Sequence, residues 1–325
     1  MRFIQLAAAT AVGVAVCACS SPPTSGGFTP VVRTAGPAAS APGKSWLTPA
    51  AKGQTLLYVS DVGGVTVYAN TGGTNFALVG ELFGFQVPAG ECTDARGDVF
   101  ITDETAQVID EYAHGAITPK AQISDPFGQP LSCAIDRKTG RLAVTNSANP
   151  SGAEPGNVVI YPSPSGPPTD YSDATLYVPL FCSFDRKGNL YVTAYDSSYH
   201  PVLGEFGKGA GGFTILNLAG GTWFLPSGVL ATGTELLIGD VYDRTTHIYE
   251  AHVSGSTATI FNTIPLSKTQ YLAEFTLWGS GSSATILAPD NTYSNVEIYT
   301  YPGGSPLGAI TSGISSPVGT AISPT

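Results

Sequence analysis

Hydrophobic residues in this chain fall in short β-prone runs separated by tight-turn residues. Residues 87–103 show the pattern in full. A strand is led in by Pro88-Ala89-Gly90, a turn follows at Asp94-Ala95-Arg96-Gly97, and a second strand ends at Asp103. Two such runs either side of a turn predict a β-hairpin. Residues 130–146 and 179–193 repeat the pattern, each turning through an Asp-Arg-Lys tripeptide that starts at Asp136 or Asp185.

The second strand of this hairpin recurs at residues 56–61, 99–103, 142–146, 190–194, 236–240 and 285–290, with successive ends 42 to 50 residues apart. That period is the size of a propeller blade. A third strand follows each, such as Val65-Thr66-Val67-Tyr68, and then a weaker outer one, such as Phe76-Ala77-Leu78-Val79. Apolar and polar positions alternate imperfectly, as in sheets covered on both faces. The expected fold is all-β: a six-bladed β-propeller of four-stranded blades over residues 54–325. The first repeat lacks an innermost strand, while residues 317–323 supply a spare one after the last repeat. The C-terminal strand is therefore expected to pair in blade one and close the ring, leaving no bare edge there.

The N-terminus follows a different pattern. Met1-Arg2 precedes a short apolar run ending at Val16, too short to span a membrane and suited to a secretory signal. It runs into Val16-Cys17-Ala18-Cys19, which resembles a bacterial lipobox with Cys19 as the lipid acceptor. Cys17 stands where a small residue is usual, and an ordinary cleaved signal is the alternative. Residues 20–53, rich in Pro, Ser, Gly and Ala, predict a disordered tether, with Trp46 and Leu47 as its first contact with the domain. The expected location is the bacterial cell envelope, at a periplasmic or outer-membrane face. The membrane is engaged through the lipid anchor by an otherwise soluble, monomeric chain.

Only 12% of residues are charged, and 39 Gly and 25 Pro suit many tight turns. A net charge of −10 argues against a nucleic-acid partner, which needs a basic surface. Cys92, Cys133 and Cys182 remain in the domain; Cys92 and Cys133 stand in adjacent blades and could face each other.

Residues 84–103 and 223–240 resemble NHL repeats, with a Phe-x-x-Pro-x-Gly lead-in, an apolar strand, Asp-x-x-Gly and a Tyr-Val-x-Asp end. The resemblance covers about residues 54–325 and extends distantly to the gluconolactonase and regucalcin group. It implies a propeller and leaves function open, since such folds host binding, scaffolding, hydrolytic and lyase roles. In the gluconolactonase group, metal ligands include an Asn or Asp between the Pro and Gly of the lead-in turn. Here those positions hold Ala89, Leu131, Leu180, Ser227, Leu272 and Val318, which offer one hydroxyl and no carboxylate. The implied metal site is expected to be absent, and no cofactor is expected. The four histidines, His114, His200, His247 and His252, share no zinc-ligand spacing.

Three groups of residues are candidates for a site. On the innermost strands, aligned positions hold Glu91, Cys133, Cys182, Val229, Glu274 and Thr320. Of these, Glu91, Glu274 and Thr320 are the channel candidates. The two carboxylates could bind a cation or share a proton; alternatively each is solvated or pairs with a backbone amide. A ring of strand ends, Asp61, Asp103, Asn146, Asp240 and Asp290, is suited to capping turns. Beside it lie long connections in blades three to six. They contribute Tyr195, Asp196, Tyr199, His200, Tyr242, Asp243, Arg244, Asp290, Asn291 and Tyr293 as a candidate binding rim. The expected function is a binding or scaffolding module for a protein, peptide or glycan through this rim. The alternative is a lactonase-like hydrolase or lyase with a non-standard site.

Overall fold

The computed structural model describes residues 43–325 except 234, 243 and 244, and omits the side chain of Ser282. Residues 1–42, which include the expected signal, Cys19 and most of the expected tether, lie outside the described residues, as do Asp243 and Arg244.

The described chain is all-β, with two three-residue 3-10 turns at Pro49–Ala51 and Gly281–Ser283. β1 (Trp46–Leu47) lies outside an antiparallel meander of β2 (Leu56–Asp61), β3 (Gly64–Gly72) and β4 (Asn75–Leu82). A second meander holds β5 (Pro88–Thr93), β6 (Val99–Asp103), β7 (Val108–Tyr112) and β8 (Ala121–Ser124). A third holds β9 (Gln129–Ile135), β10 (Leu142–Ala148), β11 (Asn157–Tyr161) and β12 (Thr169–Tyr171). Next come β13 (Val178–Phe184), β14 (Leu190–Tyr195), β15 (Pro201–Phe206) and β16 (Thr214–Ala219). They are followed by β17 (Pro226–Thr232), β18 (Glu235–Tyr242), β19 (Thr245–Ser254) and β20 (Thr257–Pro265). The outermost strands of these two meanders, β16 and β20, pair in parallel from Asn217↔Thr257 to Ala219↔Thr259, fusing them into one eight-stranded sheet. The last meander is β21 (Thr276–Trp278), β22 (Thr285–Asp290), β23 (Asn295–Thr300) and β24 (Pro306–Ile310). The arrangement is that of a β-propeller.

The final strand, β25 (Gly319–Ser323), returns to the first sheet and pairs with β2 from Leu56↔Ser323 to Ser60↔Gly319, the register expected for the terminal segment. It is tied on its other flank too, because the Ser323 hydroxyl donates to Gly97 O at 2.6 Å.

The strand-end residues explain why the same motif recurs. Four second strands, β2, β6, β18 and β22, end in an aspartate that reaches back to the backbone leading into the innermost strand of its own sheet. Asp103 accepts from the N–H groups of Gln86 (2.7 Å) and Val87 (2.9 Å), and Asp240 from Phe224 (3.0 Å) and Leu225 (2.9 Å). Asp290 accepts from Gln270 at 2.6 Å, and Asp61 from Ser315 at 2.9 Å. In the third meander the job is shared: Asp125 accepts from Phe127 N and is held by the Asn146 amide. All of these side chains are buried, so each bond satisfies groups that would otherwise be orphaned. At the opposite end, Asp94, Asp136 and Asp185 accept from backbone N–H groups two residues on, which closes the hairpin turns. The third strands add buried tyrosines whose hydroxyls are spent on backbone: Tyr161 on Ser124 O (2.9 Å) and Tyr299 on Lys268 N (2.9 Å).

Two features differ from the sequence reading or go beyond it. Trp46 and Leu47, expected as the first contact of the 20–53 segment with the domain, pair as a strand with Glu81 and Gly80. A strand needs only an open edge, and β4 offers one. Cys92 and Cys133 form a disulfide between the second and third meanders with Cα atoms 5.7 Å apart, leaving Cys182 as a buried free thiol.

Removing residues 317–325 strips β25 from β2. Each orphaned buried backbone group costs on the order of 1–3 kcal/mol against a domain stability of about 5–15 kcal/mol. The truncated chain is expected to be aggregated or molten. Size-exclusion chromatography with near-ultraviolet circular dichroism checks this, and a soluble monomer with an unchanged melting midpoint would refute the role given to β25.

Candidate functional site

Strand pairing assigns the two ends of the propeller. Pro88 lies opposite Asp103, Val178 opposite Tyr195 and Pro226 opposite Asp240, so the lead-in segments and long connections share one end, the rim. Thr93, Phe184 and Thr232 pair with Val99, Leu190 and Glu235 at the other end, where the hairpins turn.

On the rim side the axis is filled. Ala89, Phe181, Ala273 and Val318 are buried in one apolar cluster, with Leu131 and Leu180 packed on it. Four of the six positions at which the gluconolactonase resemblance would place metal ligands, Ala89, Leu131, Leu180 and Val318, thus belong to a hydrophobic plug, while Leu272 lies in a neighbouring apolar cluster and Ser227 is a buried hydroxyl. Convergence demands small residues here. A Cβ on Gly90 would lie 2.7 Å from Leu131 O, and one on Gly319 would lie 2.4 Å from Ala89 O.

Below the plug sit the channel candidates. Glu274 reaches across the axis: one carboxylate oxygen accepts from Glu91 N at 2.9 Å and the other from Ser132 Oγ at 2.7 Å. It therefore pairs with a backbone amide and a hydroxyl and is not solvated; it joins the last, second and third meanders. Glu91 is 4% exposed and Thr320 2%, and neither the Glu91 carboxyl oxygens nor Thr320 Oγ1 has a hydrogen-bond partner among the described residues. Burial raises Glu274 from 4.5 to about 7. Burial, reinforced by the Glu274 charge, holds Glu91 well above the usual carboxylate range, and the nearby Ala321 N–H offsets part of this. Burial likewise pushes the Cys182 thiol up.

These groups form the floor of a funnel of about 860 Å³ that opens at the turn end and is lined from all the innermost strands. Its mouth carries Arg137, Lys138 and Arg186, with Phe184 and Trp278 on the walls. Sequence reasoning named three residues of its floor, Glu91, Glu274 and Thr320, and missed the cations of its mouth. The available signal was the repeated Asp-Arg-Lys turn, which sets Arg137 and Lys138 in one repeat and Arg186 in the next beside the opening.

The rim candidates separate into anchored and presented residues. Tyr195 is buried, and so is Asp290, whose carboxylate also accepts from Thr292 N at 2.8 Å. Tyr195 is therefore not presented at the rim, and Asp290 does the turn-capping expected of the strand-end ring. Asp196 closes its own loop by accepting from the N–H groups of Ser198 and His200, and His200 Nδ1 lies 3.3 Å from it. The Tyr199 hydroxyl donates to Glu154 at 2.5 Å, and Asn291 is half-buried. Tyr242 (49% exposed) and Tyr293 (52%) are presented to solvent, with Tyr242 stacked on Phe224 at 3.9 Å. Asp240, beneath Tyr242, lies 3.4 Å from His247; burial raises the acid and lowers the imidazole.

The fold and these two ends define a β-propeller with a packed axis, an aromatic-bearing rim and a polar funnel. No protein-family model matches the chain, and no curated protein matches it. Among solved structures it is similar to a chain in the crystal structure of a nidogen/laminin complex, with a TM-score of 0.69 and 16% identity. The match covers 83% of this chain and 98% of that one. At that identity the likeness is one of fold.

The acid pair makes a signed prediction. A carboxyl whose value is raised on folding stabilises the fold fully below its unfolded value, and that stability is lost as pH rises. For Glu274 the loss falls between about 4.5 and about 7 and amounts to on the order of 3 kcal/mol. Gln at this position keeps an acceptor for Glu91 N and carries no charge. Glu274→Gln is expected to melt roughly 5–10 °C above wild type at alkaline pH and to converge with it at acid pH. Thermal melts across that range check this; parallel curves would show that Glu274 ionises at no cost.

Proposed function

We propose that this chain is an exported, six-bladed propeller that acts as a monomeric protein-binding module through its rim. The blade count rests on six successive four-stranded groups, with β16–β20 acting as a bridge between the outer edges of two neighbouring blades. The repeats are of NHL-like type, on the strength of the lead-in and turn residues they share.

The observation that carries the binding role is the position of the exposed apolar side chains. Of the eight large apolar side chains exposed among the described residues, four, Val62, Phe224, Tyr242 and Tyr293, stand at the rim end of inner strands, beside β2, β17, β18 and β22. Isolated exposed hydrophobics are ordinary; several gathered at one end of neighbouring blades are how interface anchors look. The structurally similar chain comes from a nidogen/laminin complex, which is consistent with a protein ligand. A double variant, Tyr242→Ser with Tyr293→Ser, removes two of these anchors while leaving the buried core intact. With wild type and variant as baits in cell-envelope extract, quantitative mass spectrometry is expected to find at least one protein depleted ~10-fold or more on the variant. Identical retained sets would remove the rim from consideration.

Export is supported by the Cys92–Cys133 disulfide, since such bonds persist in oxidising compartments. The basic-then-apolar start and Cys19 extend this to a lipid anchor at the cell envelope. Metabolic labelling with a palmitate analogue is expected to mark wild type and to fail on Cys19→Ala. Undiminished labelling of that variant would exclude Cys19 as the acceptor.

A further inference from the structure

We propose that the funnel at the turn end is a second binding site, separate from the rim, and that it takes a small anionic saccharide: a sugar bearing a carboxylate or phosphate. Arg137, Lys138 and Arg186 line its mouth in a chain whose net charge is −10. The acids of the same turns, Asp136 and Asp185, also line the funnel, but each is engaged within its own turn. Asp136 is spent on Lys138 N, Thr139 Oγ1 and Arg141, and Asp185 on the N–H groups of Lys187 and Asn189. Arg137 donates to Thr93 Oγ1 at 3.0 Å, and no ion pair holds Arg137, Lys138 or Arg186 among the described residues. The guanidinium fork matches the oxygens of carboxylate and phosphate.

The rest of the funnel selects what the anion is attached to. Phe184 and Trp278 offer ring surface on the walls, suited to the C–H face of a pyranose. At the floor, Glu91 and Thr320 are more than nine-tenths buried; Thr320 Oγ1 has no hydrogen-bond partner among the described residues, and the Glu91 carboxyl has no partner there beyond the nearby Ala321 N–H. An aliphatic tail would leave those groups unpaired, whereas a ligand with hydroxyl groups would satisfy them. Burial and the Glu274 charge keep Glu91 well above the usual carboxylate range, which favours its neutral acid form, and the Glu274 carboxylate beside it is spent on Glu91 N and Ser132 Oγ. About 860 Å³ is within the usual size of small-molecule pockets.

The test is calorimetric titration at physiological salt with three probes: digalacturonate, glucose 6-phosphate and the neutral disaccharide lactose. Vesicles of phosphatidylglycerol are added as a fourth arm. Arg137→Ser with Arg186→Ser removes two mouth cations. Lys187→Ser with Lys208→Ser removes the same charge from exposed positions on the same face but outside the funnel. Melting midpoints confirm that each variant is folded. An anionic sugar is expected to bind wild type ~10-fold or more tightly than lactose, to weaken ~10-fold or more in the mouth variant, and to stay within about twofold in the charge-matched control. Several outcomes overturn the proposal: no anionic sugar binds, lactose binds equally well, or both variants weaken together. Vesicle binding without sugar binding also overturns it, and would make the face a membrane contact.

Discussion

The inner edges of the axial strands are the constraint from which the rest of this structure follows. Each innermost strand has a neighbour on one side only, and an open edge is costly when buried. Here the edges meet and bond across the sheets: Gly228 N–H to Ala273 O, Glu274 N–H to Val318 O, and Glu91 N–H to the Glu274 carboxylate. Backbones can approach this closely only where side chains are small, which explains Gly90 and Gly319 on the axis. Phe181, at the position equivalent to Gly90, fills the space that the glycines leave and completes the plug. Glu274 closes the remaining gap with a side chain where backbone cannot reach, and its buried charge is the cost of that closure.

Much of this was legible in the sequence because it is periodic. The hairpins at residues 87–103, 130–146 and 179–193, the strand-end aspartates and the pairing of Gly319–Ser323 with Leu56–Ser60 each follow from a repeated local pattern. What was not legible depends on non-repeating contacts. The parallel pairing of β16 with β20 arises because β19 and β20 run to ten and nine residues, longer than β15 and β16 at six each, so that an outer edge overhangs its neighbour. The burial of Tyr195 and Asp290 is a matter of depth, and a loop position does not reveal depth. The funnel mouth was hidden for a similar reason. Its chemistry comes from turn tips far apart in sequence that share only proximity to the axis.

The two ends of the propeller use carboxylates in different ways. At the rim, Asp61, Asp103, Asp240 and Asp290 are buried staples that fix each lead-in segment, so exposed chemistry there falls to aromatics and loop residues. At the turn end, Asp94, Asp136 and Asp185 are consumed inside their own turns, and the neighbouring cations project. The chain is acidic overall, yet three cations that no ion pair holds among the described residues stand at the funnel mouth. Net charge alone does not reveal where such cations stand.

This division explains how one repeat can serve two surfaces. The staples and the axial plug hold the inner strands from within the core, so the polar tips of turns and rim loops are free of that duty. Residues free of those duties are the ones that vary from repeat to repeat. At the rim these are Tyr242 and Tyr293, against the bare Val62-Gly63 turn between β2 and β3. At the other end they are Arg137 and Arg186, against Thr232 and Gly233 in the turn between β17 and β18. Function in such a scaffold is to be sought where the repeat breaks its own pattern without losing a backbone bond. By that criterion Tyr242 qualifies, and Asp290, for all its charge, does not.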